Sequence, residues 1–211
     1  DGIFFNQGQT CTAGSRLYVH EDIYDEVMAS LIERARSLVV GSGQEPTTQM
    51  GPLVSARQLD TVTKYLQSGV DQGAVVAVGG GRPAGLPAEN AGGYFLEPTV
   101  LTETDHSMTV VREEIFGPVL VAMRWKGVED LIEKANDSPY GLSAGLWTND
   151  LRQAHRIAAA IKAGTVWVNC YNLTDPASPF GGYKQSGWGR EMGRHVLEEY
   201  TETKSVWVNL T

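Results

Sequence analysis

Cysteine is scarce in this 211-residue sequence, which holds only Cys11 and Cys170. Two thiols cannot staple a chain of this size as a disulfide scaffold, so a reducing, cytoplasmic setting is expected. An excess of positive charge is missing as well. The formal net charge of −8 argues against a nucleic-acid or acidic-membrane partner. No apolar run approaches the ~20 residues that a membrane helix needs. The start Asp1-Gly2-Ile3 has neither the basic residues nor the apolar core of a secretion signal, and it lacks a Met. We therefore read the chain as a piece of a longer protein. His20, His106, His155 and His195 have no ligand spacing and no cysteines at metal-site distances, so no zinc or iron site is expected. A dinucleotide fingerprint is also absent. Gly187, Gly189 and Gly193 are wrongly spaced and follow no strand, and Gly79-Gly80-Gly81 lacks the Lys-Ser/Thr of a phosphate loop.

What is present reads as an ordinary globular chain. Hydrophobic residues make up 42% and charged residues 20%, enough apolar material for a substantial core. Leu17-Tyr18-Val19 predicts a strand. Asp22 predicts the cap of a helix carrying Tyr24, Val27, Met28, Leu31, Ala35 and Leu38, with a stop at Gly41. Ser55 and Gln58 form a capping-box pattern before Leu59, Val62, Leu66 and Val70. Residues 75–78 predict a small buried strand, 79–93 a loop, and 95–101 an extended stretch at a sheet edge around Pro98. The apolar run 119–123 predicts a strand covered on both faces. Helix, strand, helix and strand follow over 128–135, 142–147, 151–161 and 165–168, with Asp150 and Gln153 as a second capping box and Gly164 as a stop. After a loop to Gly189, residues 191–200 predict a short helix. Residues 205–210 alternate apolar and polar, as in an exposed strand that pairs with another chain. This rhythm implies an α/β sandwich with a largely parallel sheet.

One stretch concentrates chemical potential: Phe4-Phe5-Asn6-Gln7-Gly8-Gln9-Thr10-Cys11-Thr12-Ala13-Gly14-Ser15-Arg16. A thiolate is a strong nucleophile, flanking glycines admit a substrate, and Gln7, Gln9 and the Cys11 N–H are candidate oxyanion donors. A lone cysteine serves equally well as a small buried hydrophobe. Residues alone leave both readings open.

The run resembles the nucleophile segment of the aldehyde dehydrogenase superfamily, Phe-x-Asn-x-Gly-Gln-x-Cys. Glu113-Glu114-Ile115-Phe116-Gly117-Pro118 resembles its nicotinamide-ribose motif, and Ser178-Pro179-Phe180-Gly181-Gly182-Tyr183-Lys184-Gln185-Ser186-Gly187 its C-terminal signature. The three lie in the family's order. The resemblance implies the family's catalytic-domain fold, a three-layer α/β sandwich with a largely parallel sheet, over residues 1–201. It implies an oligomerisation strand over 202–211, through which homo-oligomers form. It also implies oxidation of an aldehyde through a thiohemiacetal and thioester on Cys11, with NAD or NADP as hydride acceptor. Glu114 would hold the nicotinamide ribose, Phe116 would lie beside the nicotinamide, and Phe180 and Tyr171 would line the substrate tunnel. Gly8, Gln9 and Asn169 would support the site. The family's cofactor-binding domain, its Glu general base and its oxyanion Asn lie upstream of the nucleophile. This chain is therefore expected to bind no cofactor alone and to be inactive without them. The segment 171–180 is similar to that of arylacetaldehyde dehydrogenases. Two rival readings are a folded interaction unit without catalysis and a thiol esterase that uses Cys11 without nicotinamide.

Overall fold

The computed structural model describes residues 2–211, which divide into two compact units, 2–137 and 138–211. In the first, β1 (Arg16–His20), β4 (Val119–Trp125), β3 (Thr99–Thr102) and β2 (Val75–Val78) form a sheet in the order β1-β4-β3-β2. The first three strands are parallel, and β2 closes the edge antiparallel to β3. Alternation along β4 assigns its side chains to two cores. Val119, Val121 and Met123 pack with Val62 and Leu66 of α2 (Ala56–Asp71), whereas Leu120 and Ala122 pack with Tyr24, Met28 and Ala35 of α1 (Tyr24–Arg36). The result is a helix on each face of one sheet, the three-layer arrangement expected from sequence. Val62, Val100, Val119 and Val121 have no exposed surface. Each such side chain contributes roughly 1.5–3 kcal/mol by burial. Two further helices, α3 (Thr109–Arg112) and α4 (Val128–Asn136), complete the unit.

The second unit pairs β5 (Ser143–Leu146) with β6 (Thr165–Val168) in parallel, joined through α5 (Leu151–Ala160). Asp150 caps α5, its carboxylate accepting from Arg152 N–H (2.8 Å) and Gln153 N–H (3.1 Å). The last helix, α6 (Val196–Glu199), is a single turn.

Several expectations are corrected. Asp22 does not cap α1; a 3₁₀ turn over Glu21–Ile23 precedes the helix, and His20 Nδ1 accepts from the Asp22 N–H. The strand over 75–78 is not buried: as the sheet's edge it leaves Val75 50% and Val76 37% exposed. Conversely β3 is interior, because Pro98 immediately precedes its first residue, where a missing N–H breaks no ladder. The helix over 191–200 shrinks to α6 because Met192 and Gly193 both take left-handed φ angles and Glu191 is drawn into a bridge with Phe180. Residues 201–211 form no strand within this chain, and Val206, Trp207, Val208 and Leu210 stand in solvent. No helix among the described residues is long and apolar enough to cross a membrane.

Candidate active site

Two loops meet at the amino-terminal edge of the first unit's sheet. One runs through Cys11 into β1, the other through Glu114 into β4. Because β1 and β4 are adjacent and parallel, with Arg16 opposite Val121, their lead-in loops must emerge side by side. The Val121 N–H donates to Ser15 O at 2.9 Å, fixing the register.

The cysteine loop is wound by unusual backbone. Asn6, Gln7 and Gly8 take φ angles of +49°, +57° and +67° in succession. Asn and Gly adopt the left-handed region readily, but Gln does so at a cost. Local hydrogen bonds hold the turn. Asn6 Nδ2 donates to Gln9 O (3.0 Å), and the Gln7 carboxamide donates to Asn6 O (3.0 Å) while accepting from Gly51 N–H (3.1 Å). Phe4 anchors the loop in the core while Phe5 faces outward. Gly8 is buried against the second loop so closely that a Cβ there would lie 2.0 Å from Gly117 O. The Gly8–Gly117 approach brings the two loops together backbone to backbone. Cys11 is exposed, and neither its sulfur nor its backbone N–H has a hydrogen-bond partner among the described residues.

In the second loop, the two neighbouring acids are treated differently. Glu113 accepts from Tyr65 Oη at 2.9 Å, whereas Glu114 is exposed and has no partner among the described residues. An unengaged carboxylate has two oxygens free for a vicinal diol. Phe116 adopts φ +54° and is 38% exposed, so its ring is not core packing. Glu114 and Phe116 are therefore the side chains of this loop left open to a ligand. Gly117 is pressed onto Val62 of α2, where a Cβ would meet the Val62 Cγ2 at 2.5 Å.

The lead-in and first turn of α2 touch both loops. Gln9 Oε1 accepts from Val54 N–H at 3.0 Å. Ser55 accepts from Gln58 N–H at 3.1 Å, as a capping box requires. The other half of that box is absent, since Gln58 Nε2 donates instead to Phe116 O (2.9 Å) and Ile115 O (3.3 Å). Sequence reasoning had pointed this side chain at its own helix cap and so missed its reach to the second loop.

The second unit carries the remaining predicted site residues. Asn169, at φ +56°, accepts from Thr148 N–H (2.9 Å) and donates to Thr148 O (3.0 Å), tying together the chain beyond β5 and β6. Phe180 exchanges two 2.7 Å backbone hydrogen bonds with Glu191. It lines a cavity of about 310 Å³ with Trp167, Leu173, Pro179 and Met192. Trp167 Nε1 donates to Leu173 O at 2.8 Å and pins the loop on the cavity's rim. Tyr171 does not line this cavity. Its ring lies on Gly145, with centroids 4.8 Å from Trp167 and 6.2 Å from Trp147, and burial raises its phenol pKa against the opposing hydrogen bond with Ser143. A Cβ on Gly181 would stand 2.3 Å from the backbone oxygen of Gly189, which accounts for a glycine at this place in the C-terminal signature. Cys170 is half-buried.

Comparison with known proteins agrees with this architecture. The family model described as "Aldehyde dehydrogenase family" matches residues 1–206. The chain is 54% identical over 210 residues to DhaS of Bacillus subtilis (strain 168), a protein provisionally named an aldehyde dehydrogenase, covering 100% of this chain and 41% of that one. It is 47% identical over 209 residues to retinal dehydrogenase 2 of Gallus gallus, covering 99% and 39%. Among solved structures, the NAD+ complex of aldehyde dehydrogenase from Bacillus cereus superposes with a TM-score of 0.93 at 50% identity, covering 100% of this chain and 42% of that one. The chain thus spans about two fifths of the length of the relatives it matches. By its matched length and its fold, it belongs to the aldehyde dehydrogenase family.

Proposed function

We propose that the complete protein oxidises an aldehyde to a carboxylic acid, with Cys11 as nucleophile and NAD or NADP as acceptor. The observation that carries this reading is the Gly8–Gly117 contact, which seats the Cys11 loop against the loop bearing Glu114 and Phe116. The Cys11 thiolate bonds to the carbonyl carbon, and the negative charge formed on oxygen is received by the unengaged Cys11 N–H. Bound NAD(P) would supply the acceptor for the hydride that leaves this carbon. The Cys11 thioester that remains is opened by water, releasing acid and restoring the thiol. Glu114 would hold the ribose diol and Phe116 would lie beside the nicotinamide. Within the second unit, Phe180 lines a cavity that Tyr171 does not reach, and Asn169 braces the β5–β6 end. Gly8 and Gln9 support the nucleophile.

In this reading, the general base, the second oxyanion donor and the dinucleotide-binding half belong to the remaining length of the protein. The 211 residues by themselves should therefore give no NAD-dependent oxidation. The arylacetaldehyde reading rests on the resemblance of residues 171–180, since the cavity beside Phe180 sets Thr174, Asp175 and Ser178 next to the apolar Trp167 and Leu173. Residues 202–211 would pair with a second copy of the chain, in a cytoplasmic homo-oligomer. The test is reduction of NAD or NADP by the complete protein with phenylacetaldehyde and acetaldehyde. Turnover should vanish in Cys11→Ala, and turnover that survives the substitution would refute the assignment. Nitrophenyl-ester hydrolysis by the 211-residue chain, lost on the same substitution, would favour the esterase reading.

A further inference from the structure

We infer that Tyr65 is a positioning residue that decides which of two adjacent carboxylates is offered to the cofactor ribose. It does so by holding Glu113, so that Glu114 leaves the chain away from α2. The inference rests on the function proposed above, which gives Glu114 that role. The two ends of Tyr65 do different work. Its half-buried ring packs against the core that contains Val62, Leu66, Val111 and Ile115, while its hydroxyl donates to Glu113 Oε2 at 2.9 Å. A hydroxyl on an anchored ring loses little rotamer freedom when it meets its acceptor, so the hydrogen bond sets a direction.

The backbone converts the hold on one acid into the direction of the other. Helix α3 ends at Arg112, and Glu113 takes φ −107° and ψ 166°, an extended conformation. Extended backbone sends successive side chains to opposite sides. Burial follows that alternation. Glu113 is drawn to α2 and Ile115 is buried in the core that α2 covers, whereas Glu114 and Phe116 are exposed. The chain just upstream is already fixed. Thr109 N–H donates to Gln72 Oε1 (2.8 Å) and Gln72 Nε2 donates to Thr109 Oγ1 (2.9 Å), which ties the start of α3 to the end of α2. At the other end of α3, Arg112 Nη1 donates to Asp137 Oδ2 at 3.1 Å. The freedom that remains lies at the junction after Arg112, where the Tyr65 hydroxyl acts. Released from it, Glu113 would be a second open carboxylate beside Glu114, competing for the same diol.

Removing one oxygen atom tests the proposal, since Tyr65→Phe keeps the ring and deletes the donor. In the complete enzyme, KM for NAD or NADP should rise about threefold to tenfold with a smaller fall in kcat, as one exposed hydrogen bond to a charged group is lost. Glu113→Ala deletes the acceptor and should give the same rise, and the double variant should be no worse than either single one. A parental KM in Tyr65→Phe, or losses that multiply in the double variant, would overturn the proposal. A cofactor analogue lacking one hydroxyl of the nicotinamide ribose gives a readout that packing alone would not move. The parent should prefer the natural cofactor, and Tyr65→Phe should lose most of that preference; a preference kept in full refutes the positioning role. If Glu114→Gln left the preference of the parent unchanged, the ribose role of Glu114 in the proposed function would be what fails. Hydrogen exchange of the peptide spanning 112–118 then judges Tyr65 without turnover. It should quicken about threefold to tenfold in Tyr65→Phe, and equal protection would refute the hold on the loop.

Discussion

Replacing Gly8 with alanine tests the junction of the two loops most directly. An alanine Cβ would stand 2.0 Å from Gly117 O and 2.5 Å from Gly117 C, where ordinary contact begins at 3.4 Å. Both atoms are backbone, so no side chain can swing aside, and the loops must part by about 1.4 Å. Gly117 cannot retreat, because it already rests on fully buried Val62. Holding alanine at φ +67° adds about 1–2 kcal/mol. Overpacking adds about 1–3 kcal/mol, for a total near 2–5 kcal/mol. A shift of this size between nucleophile and cofactor loop should lower turnover on the order of 100-fold. Gly85→Ala is the matched control, since its φ is +75° and nothing lies within 4 Å of the added Cβ. It should cost only about 1–2 kcal/mol for the left-handed backbone and leave turnover unchanged. Urea unfolding followed by tryptophan fluorescence, together with NAD reduction by the complete protein, measures both quantities. If Gly8→Ala matched Gly85→Ala in stability and rate, the close seating of the loops would be refuted.

Brief treatment with iodoacetamide and peptide mapping should label exposed Cys11 well before half-buried Cys170, and the reverse order would remove the nucleophile assignment. Leu101→Ala, at a fully buried position on β3, should destabilise by about 2–5 kcal/mol in urea unfolding, mainly by leaving a cavity. Deleting residues 202–211 should lower the mass found by size-exclusion light scattering, and an unchanged mass would argue against the terminal segment as an interchain strand. The His106 pKa lies below its ordinary 6.5 because burial opposes protonation, with Lys134, Arg16 and Arg112 adding to the effect and Asp137 opposing it. Tyr18 stacks on the same ring and its hydroxyl lies 3.2 Å from Nε2. The unfolded chain therefore takes up this proton first. His106 contributes stability above pH 6.5 that is lost as pH falls through its folded value. Thermal unfolding between pH 7.5 and 5 should show this slope, and His106→Gln should flatten it.

How far the sequence was readable depends on the range of the interaction. Helices α2 and α5 announced themselves because a cap and an apolar stripe are local: Ser55 and Asp150 each accept from the N–H groups that the pattern required. The run 119–123 likewise betrayed a strand covered on both faces, as the two cores around β4 bear out. Errors fell where a neighbour distant in sequence decided the outcome. Nothing local distinguishes an edge strand from an interior one, so 75–78 and 95–101 exchanged roles. The chain over 191–200 carried helical spacing, but the Phe180–Glu191 bridge and two left-handed residues cut it to one turn.

For the site, residue types were legible but their roles depended on contact. Composition could nominate Cys11 as a thiol and Glu114 as an acid, yet it could not choose between Glu113 and Glu114. Tyr65, on α2, makes that choice by occupying Glu113 and leaving its neighbour open. Gln58 illustrates the same limit from the other side. Its place three residues after Ser55 satisfies a local rule, under which its side-chain oxygen would accept from the Ser55 N–H, but the side chain turns instead so that Nε2 donates to two carbonyls of a loop 57 and 58 residues away. The outcome is set by geometry: β1 and β4 are adjacent and parallel, so the loops entering them share one sheet edge, and α2 packs on the face beside that edge. The start of α2 thus touches both loops, through Val54 N–H on one side and the Gln58 side chain on the other. A helix cap that looks complete in sequence but has only its backbone half in the structure is therefore a place to look for a side chain serving a neighbouring site.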